Sequence, residues 1–412
     1  MFYAGLRLTS RVAGHRAGMG VLPGWRKAGN DDGPERRGLL EADEKGHGPF
    51  VTSLPSGVRV PSLDAAPLGE RWMHKLDDGI AMSALTIPGT HDSAAYTNAW
   101  PFIQTQKMDI LGQLNSGIRY LDLRCGLRDD VLEMVHGSAI LGLKLSILLD
   151  IMYLWLMSHP REALIVQIKQ DRASERSSVH FAHAIWCCIA QAPGRWRTAN
   201  TTPILGELRG KIQLFRRFTG PTLHAYGIDV TQWQDNPTRP FTIYTWHAVQ
   251  LTIQDHYRPA EAESLPSLIA KKGGDVVELL NYAHANVDAG HWYINFTSAY
   301  EFNLWYQLSP REVAVGGYWA FRWEGGINPR LREYLRIQKG KRRYGIVAMD
   351  FPDRGADDLI ALLISSNYER LSDVGKMWWR PIVVMISLAL VATVVLTTLE
   401  IRQQLGLGSS LK

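Results

Sequence analysis

Residues 117–124 read Gly117-Ile118-Arg119-Tyr120-Leu121-Asp122-Leu123-Arg124. The apolar and charged residues alternate at the period of an extended strand. Side chains two apart share a face, so Asp122 and Arg124 point the same way. An isolated Asp-x-Arg is commonly a salt-bridged pair on a wet strand. Placed inward at the end of a barrel strand, the guanidinium can instead hold a phosphate by two parallel hydrogen bonds, and the carboxylate can orient it or accept a substrate proton.

Two flanking stretches favour the second reading. Upstream, Ile87-Pro88-Gly89-Thr90-His91-Asp92-Ser93 ends a strand in a Pro-Gly turn that delivers a histidine and a carboxylate together. Downstream, Val131-Leu132-Glu133-Met134-Val135-His136-Gly137 ends another strand in histidine and glycine. Cleaving a phosphodiester takes a base for the attacking oxygen and an acid for the departing one, and two imidazoles suffice near neutral pH. Alone, either histidine would more often be a turn residue or a satisfied structural one.

Apolar runs of strand length recur at Ala84 to Ile87, Ile118 to Leu123, Val131 to Val135, Ala163 to Ile168, Lys211 to Phe215, Phe241 to Tyr244, Trp292 to Phe296 and Tyr344 to Met349. Helical patterns cover Leu141 to Ser158, Val179 to Ala192, Leu331 to Gln338 and Asp357 to Ser366. This alternation predicts an α/β fold on a parallel sheet, most economically a closed, distorted TIM-type (β/α) barrel with its site at the carboxyl ends of the strands.

A chain of 412 residues with 46% hydrophobic content accommodates one such domain, here 71–370, plus appendages. The net charge of +5 is spread along the chain, which argues against a nucleic-acid partner and for a weak preference for an anionic membrane surface. Three cysteines, Cys125, Cys187 and Cys188, are too few and too badly spaced for a disulfide framework or a zinc site. Residues 1–70 are rich in Gly, Pro and charge and read as a disordered basic leader. Its acid-free, Arg-bearing start resembles a mitochondrial presequence as well as an ordinary basic tail. Pro381 to Leu399 is an uncharged run of 19 residues, enough to cross ~30 Å of hydrocarbon. With Trp378 and Trp379 at its entrance, it predicts a transmembrane helix over 378–400 and a polar tail over 401–412. Arg370, Lys376 and Arg380 before the span favour a cytoplasmic catalytic domain, on an organelle the sequence does not name. The polar tail argues against a removed lipid-anchor signal.

IPGTHDS, GIRYLDLR, MVHG, QIKQD, LRGKIQLFRRF, TIQDHY, WYINFTS and VAMDF occur in an order that resembles the catalytic domain of the bacterial-type phosphatidylinositol-specific phospholipase C family, from about Met82 to Asn367. The resemblance implies His91 as general base, oriented by Asp350, and His136 as general acid, assisted by Asp92. It implies Asp122 and Arg124 at the phosphate, with the inositol 2-hydroxyl as nucleophile, a cyclic phosphodiester as first product and diacylglycerol leaving. Calcium-dependent members place an acid where this chain has Arg124, so no metal and no other cofactor is expected. Lys169, Arg217, Asp255 and Tyr257 match the inositol-binding positions. The family often has two lysines where this chain has Lys169-Gln170, and of Arg216 and Arg217 alternation turns only one inward. Asn295 lies in an Asn-x-Thr sequon inside a matched strand, which favours burial over glycosylation. The expected partner is a phosphatidylinositol-type lipid in a membrane, with no obligate protein partner.

Two rivals differ in class. A metal-dependent glycerophospholipid or sphingolipid phosphodiesterase needs an acidic ligand cluster near the first histidine. A catalytically inactive barrel that binds inositol lipids needs no histidine pair.

Overall fold

A computed structural model describes residues 69–220, 226–260, 262–286, 288, 290–303 and 306–368. Most of the leader, the apolar run at 381–399 and the polar tail lie outside the described residues. Among those described, no helix is long and apolar enough to cross a membrane.

The chain opens with β1 (Ile87–Thr90), α1 (Ile110–Ser116) and β2 (Tyr120–Arg128), then makes an antiparallel excursion through β3 (Val131–His136) and β4 (Ala139–Lys144). α2 (Leu145–Ser158), β5 (Leu164–Gln170), α3 (Phe181–Ala190), β6 (Trp196–Arg197), α4 (Leu205–Leu208) and β7 (Ile212–Arg217) follow. Next come β8 (Ile228–Asp229), β9 (Phe241–Tyr244), β10 (Gln250–Gln254), α5 (Leu265–Ala285) and β11 (His291–Phe296). Two hairpins, β12 (Glu301–Phe302) with β13 (Gln307–Leu308) and β14 (Gly316–Trp319) with β15 (Arg322–Gly325), flank α6 (Pro310–Ala314). α7 (Ile327–Ile337), β16 (Ile346–Met349) and α8 (Leu359–Ser365) complete the fold.

The main sheet runs β6-β7-β5-β2-β1-β16-β11-β10-β9, parallel except for β9. Its inner strands are buried on both faces, which is why β5 reads LIVQIKQ instead of alternating. Each Leu, Ile or Val sealed in this core contributes about 1.5–3 kcal/mol. Gly89 is dictated by packing: a Cβ there would fall 2.8 Å from the Tyr120 ring on β2.

Several expectations are corrected. Among the described residues no ladder joins β7 or β8 to β9, so the barrel has an open seam where a closed one was expected. The helix expected from Leu141 starts at Leu145, because Gly142 adopts φ +71° and the preceding residues pair with β3. The strand expected from Tyr344 starts at Ile346, because Gly345 at φ +72° breaks the extension. The strand expected at Ala84 begins at Ile87, after a 3-10 turn over Met82–Ala84. The longest helix among the described residues, α5, and the strand β10 were not anticipated.

Candidate active site

Strand ends β1 and β16 lie side by side and present His91 and Asp350 together, with Nδ1 of His91 2.8 Å from Oδ1 of Asp350. A carboxylate accepts, so Nδ1 carries the proton. Nη2 of Arg124 lies 2.9 Å from Nε2 of the same ring, and a guanidinium only donates, so Nε2 presents a lone pair. The ring of Phe296 meets the His91 imidazole edge-on at 5.8 Å.

His136, at the end of β3, is held the other way. Its Nδ1 donates to the Ile103 carbonyl at 2.8 Å, and its Nε2 faces Oδ2 of Asp92 at 3.3 Å. Oδ2 of Asp92 also lies 3.4 Å from Nε2 of His91, between the two imidazoles, whose centroids are 6.5 Å apart. Arg124 completes the set, its Nε 2.7 Å from Asp92 and 3.4 Å from Asp122. Asp122 also accepts from Gln167 at 2.9 Å. Thus His91, Asp92, Asp122, Arg124, His136 and Asp350 converge on one spot.

The strand ends are held under strain. Asp92 and Phe351 adopt φ of 40° and 43°, the left-handed region that non-glycine residues rarely occupy. A strap at Thr105 and Gln106 holds both: Gln106 donates to the carbonyls of His91 at 2.7 Å and Met349 at 2.9 Å, and Thr105 to that of Asp92 at 3.1 Å. Nothing in the loop sequence marks these two residues.

Burial dominates the electrostatics. It pushes the Asp350 carboxyl well above the usual carboxylate range and raises Asp92 against the pull of Arg124. Burial would raise Asp122 too, but Arg124, Arg217 and the Gln167 hydrogen bond hold it below its ordinary value. Burial, then the nearby cations beginning with Arg124, holds His91 well below the usual histidine range, so the ring is neutral near pH 7. Burial works against the charge on Arg124 too, yet Asp92 and Asp122 outweigh it and raise its pKa.

The four expected inositol contacts lie at neighbouring strand ends. Arg124, Lys169 and Arg217 are in register across β2, β5 and β7, a row of three cations on one face. Lys169 pairs with Asp171, which also accepts from the Gly137 N–H at 3.2 Å. Gln170 donates to the Arg172 carbonyl, away from this row. At 216–217 the two side chains part: Arg217 lies over the Trp233 ring at 4.1 Å, whereas Arg216 is tied to Asp229 and the Phe218 carbonyl. Asp255 accepts from the Trp233 indole at 2.8 Å, and burial raises its pKa against the pull of Arg217. Tyr257 stacks on Tyr300 and donates to Asp235 at 2.9 Å. Asn295 is buried, its amide bonded to the Val276 carbonyl and to Gln254. Sequence reasoning missed Trp233 and Asp171; alternation in QIKQD puts Asp171 on the face of Lys169 and could have revealed it.

The family model described as PI-PLC X 1 matches residues 80–183. The 1-phosphatidylinositol phosphodiesterase of Listeria monocytogenes is 34% identical over 302 residues, covering 69% of this chain and 82% of that protein. The enzyme of the same name from Staphylococcus aureus is 29% identical over 325 residues, covering 74% of this chain and 96% of its own. A solved structure of a variant of the phosphatidylinositol-specific phospholipase C from S. aureus superposes with a TM-score of 0.64 at 27% identity, covering 74% of this chain and 99% of that one. With its barrel, its ordered motifs and these relatives in agreement, the chain belongs to the bacterial-type phosphatidylinositol-specific phospholipase C family and is a phosphodiesterase of that kind.

Proposed function

We propose that the protein cleaves phosphatidylinositol-type lipids to diacylglycerol and a cyclic inositol phosphate, without a metal ion. The observation carrying this reading is the opposite tethering of the two imidazoles around Arg124. His91, with Nδ1–H spent on Asp350, takes the proton of the inositol 2-hydroxyl at Nε2. That oxygen attacks phosphorus, and the diacylglycerol oxygen leaves with a proton from Nε2 of His136, which Asp92 positions. Arg124 stabilises the charge building on a non-bridging oxygen, a fixed donor whose loss in comparable sites costs roughly 100- to 1,000-fold in rate. Lys169, Arg217, Asp255 and Tyr257 would bind the inositol ring.

One observation favours a metal-dependent alternative: ligand atoms of His91, Asp92 and Asp122 lie within 4.8 Å of one another. The Arg124 guanidinium contacts all three residues, and a fixed cation there opposes a divalent ion. Incubating the protein with a panel of phospholipids, with and without excess EDTA, separates the readings. Chelator-resistant release of cyclic inositol phosphate is expected; loss of turnover in EDTA would favour the metal.

We further propose that the run at 381–399 tethers the barrel to a membrane with the catalytic domain on the cytoplasmic side, confining enzyme and headgroup to one layer. Full-length protein should sediment with membranes and resist carbonate extraction; a chain ending at residue 368 should not.

A further inference from the structure

Helix α5 carries a lysine inside its core-facing stripe. Leu265, Leu268, Ile269, Val276, Leu279 and Leu280 are buried at helical spacing on the helix that packs against β10 and β11, and Lys272 sits among them with no exposed surface. Burying an ammonium is costly unless opposite charge and hydrogen bonds compensate, and an apolar side chain of similar length would fill the same space.

The surroundings explain the exception. Nζ of Lys272 donates to Oε1 of Gln254 at 2.8 Å, and that oxygen also accepts from the backbone N–H of His256 at 2.9 Å. The Gln254 amide donates in turn to Asn295 at 2.8 Å and to the Phe296 carbonyl at 2.9 Å. Lys272 is therefore tied to the residues on both sides of Asp255 and to the backbone of the residue whose ring abuts His91. The carboxyls whose charge acts on it are Asp255 from the end of β10, Asp275 from its own helix and Asp350 from the end of β16. Asp275 is shared with His256 at 2.8 Å and Lys271 at 3.8 Å, while β11 contributes only the neutral Asn295.

We infer that Lys272 is a positioning residue for this reaction: from behind the strands it fixes the end of β10 through Gln254 and adds a buried positive charge to those of Arg217 and Arg124 that act on the carboxyls of Asp255 and Asp350. This rests on the reading that Asp350 orients the base and Asp255 meets the headgroup. Burial raises both acids and Lys272 opposes that rise, while the same charge helps to hold His91 down. Burial pulls Lys272 itself down to about 8, which leaves it charged at neutral pH.

The test is the pH profile of kcat/KM on phosphatidylinositol vesicles for the full-length protein, Lys272→Met, Lys272→Gln and Lys272→Arg. Removing the cation raises Asp255, Asp350 and His91 together, so the acidic limb should move upward by roughly one pH unit in the Met and Gln variants, with the Arg variant restoring part of the shift. An unmoved limb, whatever happens to the denaturation midpoint, would make Lys272 a packing residue and overturn the inference. Should the neutral variants not fold, the ε-carbon resonance of Lys272 in the unmutated protein must respond as the facing carboxylates titrate below neutrality; a flat response has the same force. Asp350→Asn with wild-type turnover would sink the underlying reading, whereas an inactive Asp350→Asn beside an unshifted Lys272→Met sinks this inference alone.

Discussion

Arg124 donates from Nη2 to Nε2 of His91 at 2.9 Å, and this contact fixes which imidazole nitrogen lacks a proton. With Nδ1–H on Asp350, the proposed mechanism has the ring set as a base before substrate arrives and the incoming phosphate taking over the guanidinium. Arg124→Lys keeps the charge but loses the planar fork that reaches His91 and Asp92 together. Its kcat/KM on phosphatidylinositol should fall roughly 100- to 1,000-fold, without recovery in added calcium. Near wild-type turnover of the lysine variant would show that the fork geometry is dispensable.

Asp350→Asn offers His91 an amide that donates as well as accepts, which permits the wrong tautomer. A loss in kcat approaching 10,000-fold is expected, with KM little changed. Steady-state kinetics at several pH values would check it; a change confined to KM would place Asp350 outside the chemistry.

The same carboxyl leaves a mark on stability. Asp350 and Asp92 are raised above their ordinary values, so between the unfolded and folded pKa the native chain binds protons that the unfolded chain does not. Stability therefore declines as pH rises through that window. Denaturant midpoints followed upward from the ordinary carboxylate range, about pH 4, should show a shallower decline in Asp350→Asn. An unchanged slope would mean that Asp350 keeps its ordinary pKa in the fold.

Arg216 and Arg217 are neighbours with separable consequences. Arg217→Met removes an inward cation in register with Lys169 and should lower kcat/KM roughly 10- to 100-fold, mainly through KM. Arg216→Met breaks the outward tie to Asp229 and should lower the melting temperature while sparing kinetics per folded molecule. The reverse pattern would mean that the strand faces the other way.

An ion pair away from the site serves as a control. Glu162 accepts from Nε and Nη2 of Arg119 at 3.0 Å and 2.8 Å, with Trp155 under the guanidinium and both residues buried. Glu162→Gln strands the Arg119 charge and should cost about 3–5 kcal/mol of stability. Turnover of the folded fraction should not change; a loss of activity without a loss of stability would tie this pair to catalysis.

Local pattern made the inner strands, the two strand-end histidines, Asp122 and Arg124 legible, while Asp350 and the role of Asp92 entered only as what the family resemblance implies. Asp122 and Arg124 share a face because strands alternate, and His91 and His136 are marked by the turns that end their strands. Periodicity could not reveal the seam, because closure depends on whether distant edges meet. Nor could it reveal α5, whose Lys272 and paired glycines interrupt the apolar stripe. It also could not choose between Arg216 and Arg217, since alternation states that neighbours diverge without saying which points inward.

The chain alone therefore determined the parallel α/β architecture and the residue types available for acid, base and phosphate contact, because these follow from local spacing, and the order of its motifs carried the resemblance to the family. Only the tertiary structure decided which ring nitrogen faces the reaction centre, that Thr105 and Gln106 strap the strand ends, and that Lys272 stands behind the carboxylates. Those depend on distances between residues far apart in sequence, which packing sets and no local pattern encodes.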